Sequence, residues 1–166
     1  MKNQIIIHSS GNQSRIALLE NGELAQLFIE SEENQRTVGN IYVARVHKVM
    51  SGIRAAFIDM GTPKDAFLHF SDAGDHLDEY VTKLNGPNAI PSIARKDIEN
   101  KENLSNSQKQ MLAGKVLKTG QKLLVQIVKE PIGSKGPRVS TDITIAGRFL
   151  VLIPMGDYIA VSKKIS

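Results

Sequence analysis

No cysteine occurs in the 166 residues, which excludes disulfide staples and thiolate zinc sites. Nor does any run approach the roughly 20 apolar residues that a membrane-spanning helix needs. The opening Met1-Lys2-Asn3-Gln4 leads only into the short Ile5-Ile6-Ile7 run instead of a signal-peptide apolar region, so the expected compartment is the cytoplasm. His8, His47, His69 and His76 lack metal-ligand spacing, and no Ser–His–Asp or Cys–His grouping can be assembled. Gly114-Lys115-Val116-Leu117-Lys118-Thr119-Gly120 has Val116 where a phosphate-binding P-loop needs Ser or Thr on Mg²⁺. No catalytic constellation is visible.

What is present is a globular composition, 41% apolar and 23% charged, enough to bury a core in one domain or two small ones. The net charge of +4 is unevenly spread. From Lys109 to Arg138 the basic residues Lys109, Lys115, Lys118, Lys122, Lys129, Lys135 and Arg138 face only Glu130, whereas from Asp59 to Glu79 six acids face only Lys64. A cationic segment of this kind attracts phosphates, but charge alone reads as a solvated face. Asp72, Asp75, Asp78 and Glu79 lack the alternation and glycine of a calcium loop and read as a solvated acidic loop.

Residues 4–8, 14–20 and 23–31 read as a β meander, with Asn21-Gly22 supplying the positive φ angles of a two-residue hairpin turn. Residues 32–37 read as a linker. From Gly39 onward, closely spaced β segments follow. Val46 and Val49 fall out of phase with Ile41 and Val43, which implies a bulge of the kind that lets a small barrel turn a corner. Residues 53–60 and 66–70 alternate so that Ala56, Ile58, Ala66, Leu68 and Phe70 point inward while Phe57, Asp59, Phe67 and His69 point outward. Most of residues 82–106 is expected to be loop, followed by a short helix over 108–116. Strands are then expected over 122–129, 137–145, 148–153 and 158–162.

Two outward rings are the sharpest feature, because aromatic side chains on a small barrel stack unpaired bases. Lys129 and Lys135 flank the Gly133-Ser134-Lys135-Gly136 loop and are candidate phosphate contacts with Arg138. His69 joins the same face beside Phe67.

The segments Gly39-Asn40-Ile41-Tyr42-Val43-Ala44-Arg45-Val46, Ala55-Ala56-Phe57-Ile58-Asp59-Met60-Gly61 and Asp65-Ala66-Phe67-Leu68-His69-Phe70 resemble an S-one-type RNA-binding domain, an OB-fold barrel of five antiparallel strands. With Val125-Gln126-Ile127-Val128-Lys129-Glu130, Gly133-Ser134-Lys135-Gly136, Ile145-Ala146-Gly147 and Phe149-Leu150-Val151-Leu152-Ile153-Pro154, the whole arrangement is similar to the N-terminal part of the ribonuclease E/G family of bacterial endoribonucleases. The resemblance covers nearly the full chain apart from an insertion at about residues 82–106.

The resemblance implies a mainly β chain in two parts. Residues 39–145 would form the five-stranded barrel, inserted into a partial ribonuclease-H-like subdomain built from 1–38 and 146–166. It implies that Phe57, Phe67 and Lys135 line a single-stranded RNA channel. Gly147 and Val151 would belong to a pocket that senses a five-prime monophosphate, a pocket completed by an arginine and a threonine beyond Lys163-Lys164-Ile165-Ser166. The family cleaves RNA with Mg²⁺ on a later nuclease domain and oligomerises through a later cysteine-bearing zinc link. On this reading the chain is a fragment that binds no cofactor itself, clamps RNA for the remainder of the parent nuclease, and is inactive alone. The rival readings are a stand-alone barrel of translation or RNA-chaperone type, and a protein-interaction module that uses strand edges without nucleic acid.

Overall fold

Turn chemistry and alternation build the first unit, residues 1–36. Strands β1 (Asn3–Ser10), β2 (Gln13–Glu20) and β3 (Glu23–Ser31) form an antiparallel sheet in that order. Asn21 (φ 54°) and Gly22 (φ 90°) both take the left-handed conformation expected of the β2–β3 turn. Register puts Ile7, Ile16 and Phe28 in one row and Ile6, Ala17 and Leu27 in the next, so both faces of the sheet are apolar. The computed structural model describes residues 2–31, 37–156 and 160–163. The expected linker at 32–37 therefore lies outside the described residues except for Thr37.

The second unit, residues 37–166, is organised by a closed barrel. Its strands β4 (Ile41–Met50), β5 (Ala55–Asp59), β6 (Ala66–His69), β7 (Lys122–Lys129) and β8 (Arg138–Ser140) join in the order β4-β5-β6-β8-β7, an OB-type closure. Four of the pairings are antiparallel, but β6 and β8 run parallel, so the expectation of purely antiparallel strands is corrected. The expected bulge lies in β4, where pairing with β5 shifts between Val46 and Lys48. Alternation holds: Ala56, Ile58, Ala66 and Leu68 are fully buried, with Phe70 3% exposed, and Leu123, Val125 and Val139 complete the interior.

Between β6 and β7 the structure departs from expectation. The segment carries three helices, α1 (Leu77–Asn85), α2 (Ser92–Glu99) and α3 (Asn106–Val116): α3 is the helix expected over 108–116, whereas α2 and the end of α1 occupy the presumed loop. Leu77, Tyr80 and Val81 of α1 share one buried stripe, but α2 buries only Ala94 fully, with Ile98 partly covered. So weak an apolar pattern gives little signal in sequence, and packing against the barrel supplies what propensity does not. Helix α3 starts where Gln108 accepts hydrogen bonds from the Ser105 N–H (2.9 Å) and hydroxyl (2.8 Å).

The long strand expected over 137–145 stops pairing at Ser140. Beyond it a side chain replaces the ladder: the Gln126 amide donates to the Thr144 carbonyl (2.8 Å) and accepts from the Thr144 N–H (2.9 Å). The same amide donates to the Gly39 carbonyl (2.9 Å), so buried Gln126 ties both ends of the barrel module together. A small sheet follows from β9 (Ile145–Ala146), β10 (Leu150–Leu152) and β11 (Ala160–Val161).

The parallel β6–β8 edge is close-packed at Gly136, where an added Cβ would fall 1.9 Å from the Asp65 carbonyl oxygen. Gly136→Ala is therefore expected to destabilise the barrel by about 1–3 kcal/mol, read as a lower urea midpoint. An unchanged midpoint would mean that the edge yields at no cost.

Candidate nucleic-acid interface

Strand register sets one row of side chains around the outside of the barrel. Lys48 of β4 pairs with Phe57 of β5, Phe57 with Phe67 of β6, Phe67 with Arg138 of β8, and Arg138 with Lys129 of β7. Directly paired residues share a face, so the row has two rings at its centre and cations on both sides. The rings meet edge to face, with centroids 6.0 Å apart and 71° between planes. Both are half-buried, in keeping with their outward phase.

Phe57, Phe67, Lys129, Lys135 and Arg138 line a single groove of about 630 Å³. The loop between β7 and β8 forms one wall. It is folded on itself by the Lys135 N–H bond to the Ile132 carbonyl (3.0 Å), with Gly133 in a left-handed turn (φ 58°), and Lys64 Nζ donates to the Gly133 carbonyl (2.7 Å). Lys129 and Lys135 make no ion pair among the described residues. Glu130 accepts from the backbone N–H groups of Thr37 (2.7 Å) and Val38 (3.0 Å), fixing the chain as it enters β4.

Arg138 is differently placed. Its Nε and Nη2 donate to the two carboxylate oxygens of Asp72 at 2.6 and 3.0 Å, and this bond holds the guanidinium pKa above its usual value against partial dehydration. Its charge is thus largely compensated, unlike that of the two lysines. Asp72 also receives the Thr141 N–H (3.0 Å) and the Ser140 hydroxyl (2.8 Å) on its backbone carbonyl. His69 lies beside the groove rather than in its lining: its ring is 6.4 Å from that of Phe67, and its Nδ1 accepts from the Ser71 N–H (3.2 Å), capping the turn that carries Asp72. Gly147 and Val151 sit apart from the groove in the β9–β10 hairpin, where Gly147 N–H donates to the Leu150 carbonyl (2.8 Å) and Val151 pairs with Ala146.

Lys48, Lys64 and the 75%-exposed Ile132 are groove or row residues that the sequence reading missed. The signal for Lys48 was the bulge itself, because one extra residue in β4 puts position 48 rather than 47 opposite Phe57.

The acidic stretch is not a freely solvated loop, which corrects that expectation. Asp75 pairs with Lys109 (2.9 Å), Asp78 with Lys101 (3.2 Å) and Glu79 with His76 (2.9 Å), while Asp97 pairs with Lys115 (2.6 Å). Of the cationic segment, Lys109 and Lys115 are thereby paired. The His76 hydrogen bond, aided by its charge and by Lys101, holds the Glu79 carboxyl below its ordinary value despite partial burial. Asp142 behaves oppositely. It packs where Gly74 lacks a side chain, and dehydration, then the nearby Asp75 and Asp72, push its carboxyl up against the opposing effect of His76.

Among the described residues no three His, Asp or Glu side chains gather as a metal-binding group, and the chain has no cysteine.

No protein-family model matches the chain. Individual relatives do. Ribonuclease G of Haemophilus influenzae is 35% identical over 165 residues, covering 98% of this chain and 29% of that protein. Ribonuclease G of Escherichia coli K12 is 34% identical over 165 residues, covering 99% and 30%, and a ribonuclease E/G-like protein of Porphyra purpurea is 34% identical over 166 residues, covering 99% and 26%. The chain thus spans less than a third of the length of the relatives it matches, as an N-terminal segment of such a protein would.

A carboxyl whose pKa is raised on folding costs stability above the folded value, and that cost is absent below the unfolded value. Asp142→Asn is therefore expected to raise the melting temperature at neutral pH, with the gain vanishing below the ordinary aspartate value of about 3.9. A gain of equal size at both pH values would show that charge is not the cause.

Proposed function

We propose that the chain, a homologue of the ribonuclease E/G family, grips single-stranded RNA in the groove between Phe57, Phe67 and the β7–β8 loop. The observation that carries this reading is the pair of outward rings with uncompensated lysines beside them. Bases of a single strand can splay onto aromatic faces, whereas duplex RNA hides them. Lys135 and Lys129 take phosphates. Arg138, already bonded to Asp72, serves less as a phosphate anchor than as a flat, fixed neighbour to the Phe67 ring, with His69 bracing the same turn.

In the parent protein this module clamps RNA for Mg²⁺-dependent cleavage by a later domain, as part of RNA processing in the cytoplasm. Oligomer contacts run through a later cysteine-bearing zinc link. The chain alone cleaves nothing. Gly147 and Val151 contribute backbone and an apolar side chain to a five-prime-phosphate pocket that later residues complete. The β1–β3 sheet supports the need for a larger parent: Ile5, Ile6 and Ile7 are 67%, 52% and 66% exposed, and such apolar surface calls for cover. That cover is supplied by the remainder of the nuclease. Among the described residues no helix is long and apolar enough to cross a membrane.

Phe57→Ala and Phe67→Ala are each expected to weaken binding of a fluorescein-labelled uridine RNA of about ten nucleotides by about 5- to 150-fold, read by anisotropy. Far-UV circular dichroism should be unchanged. If Phe67→Ala unfolds the chain, Phe67→Leu keeps most of the apolar bulk and removes the ring; wild-type affinity in that variant would overturn the stacking reading.

A further inference from the structure

We infer that Lys48 is a further RNA-binding residue, a phosphate contact on the Phe57 side of the groove, so that the strand crosses β7, β8, β6, β5 and β4 rather than running along them. The inference rests on the single-strand reading above and extends it to the direction and length of the track.

The bulge in β4 is the first support. Val46 pairs with Ile58 and Lys48 with Phe57, so His47 is the extra residue of β4 and Lys48 is turned onto the outer face beside the ring. His47 is drawn off to Asp65, with Nδ1 at 2.5 Å from the carboxylate. Without the bulge, position 47 would face Phe57 and a histidine would stand where the ammonium now stands.

Availability of charge is the second support. Among the cations of β4, Arg45 donates to the Gly120 carbonyl (3.2 Å) and His47 is paired with Asp65, whereas Lys48 is exposed and bonds to no described residue. At the far end of the row Lys129 is equally uncommitted, while Arg138 between them is compensated by Asp72. The acids nearest the rings are engaged as well: Asp65 holds His47 and Glu130 holds Thr37 and Val38. The row is therefore electrically simple, with a free positive charge at each end and two stacking rings between.

Spacing is the third. Neighbouring strands lie about 4.8 Å apart, so the backbone positions of Lys48 and Lys129 are separated by about 19 Å measured around the barrel surface. That span suits a short stretch of single strand whose bases meet the rings and whose flanking phosphates meet the two lysines. A track along the strands would leave Lys48 with nothing to bind.

The test is a salt series on the 166-residue chain with labelled uridine and adenosine RNAs of about ten nucleotides. Lys48→Gln should weaken binding to both RNAs alike and reduce the magnitude of the slope of log K against log salt by about 0.7, the loss of one phosphate contact with a single strand. Lys48→Glu should weaken binding further. Lys122→Gln, which removes an exposed charge of β7 away from the row, should leave the slope as it is. The inference is overturned if Lys48→Gln leaves the slope unchanged, or if Lys122→Gln lowers it equally, because the effect is then bulk charge. If Phe57→Ala still weakens binding in that case, the stacking site stands and only the track fails. If the phenylalanine variants also bind as wild type, the single-strand reading falls and the role of Lys48 with it.

Discussion

Closure of the barrel at β6 and β8 is the constraint on which the outer face depends. Antiparallel pairing joins β4 to β5, β5 to β6, β4 to β7 and β7 to β8, and would leave β6 and β8 as open edges. The Phe67 N–H bond to the Pro137 carbonyl (2.8 Å) closes them, and the absence of a side chain at Gly136 lets the two strands approach. Once closed, Phe67 stands level with Arg138, and the two-ring row becomes continuous with the cations of β7 and β8. Asp72 locks the same edge from outside, with its carboxylate on Arg138 and its carbonyl on Thr141 and Ser140. The groove and the barrel's closing seam are one structure, so residues that position the site also hold the fold.

Legibility followed the physics of each segment. The β2–β3 hairpin was readable because Asn21-Gly22 demands positive φ angles, and the inward set from Ala56 to Phe70 because a period of two leaves few alternatives once a barrel is filled. The two rings of the groove were readable for the same reason, since outward phase is the complement of inward phase, whereas Lys64 and Ile132 of its lining were not. What failed depended on tertiary partners. Helix α2 turns little more than Ala94 and Ile98 to the core, so nothing local marks it. The stretch after Ser140 alternates like a strand, yet it is the side chain of Gln126, distant in sequence, that takes its backbone bonds. Lys48 required knowing which residue of β4 is the extra one, and that is fixed by pairing with β5.

Charge illustrates the same point at the level of the surface. Counting along the chain sets a basic segment against an acidic stretch, but folding places members of the two against each other: Lys109 on Asp75 and Arg138 on Asp72. Acids of the segment between β6 and β7 thus pair Lys109, Lys115 and Arg138, three of the seven cations counted. Among the described residues, Lys129 and Lys135 at the groove and Lys48 at the end of the row have no ion-pair partner, and Lys64 Nζ bonds only the Gly133 carbonyl. The positive potential there is local rather than a diffuse basic patch.

The exposure of the two phenylalanines follows from the size of the barrel. Its inner wall is built from small residues at Ala44, Ala56 and Ala66 alternating with Val46, Ile58 and Leu68, all of them 3% exposed or less. Such an interior has no room for another ring, since inserting extra volume into a packed core costs more than leaving an aromatic partly wet. Phe57 and Phe67 instead cover each other, at 6.0 Å and 71°, and keep the rest of their surface for a ligand. A narrow, full barrel thus fixes two aromatic groups side by side on its outside, a surface organised by the fold itself.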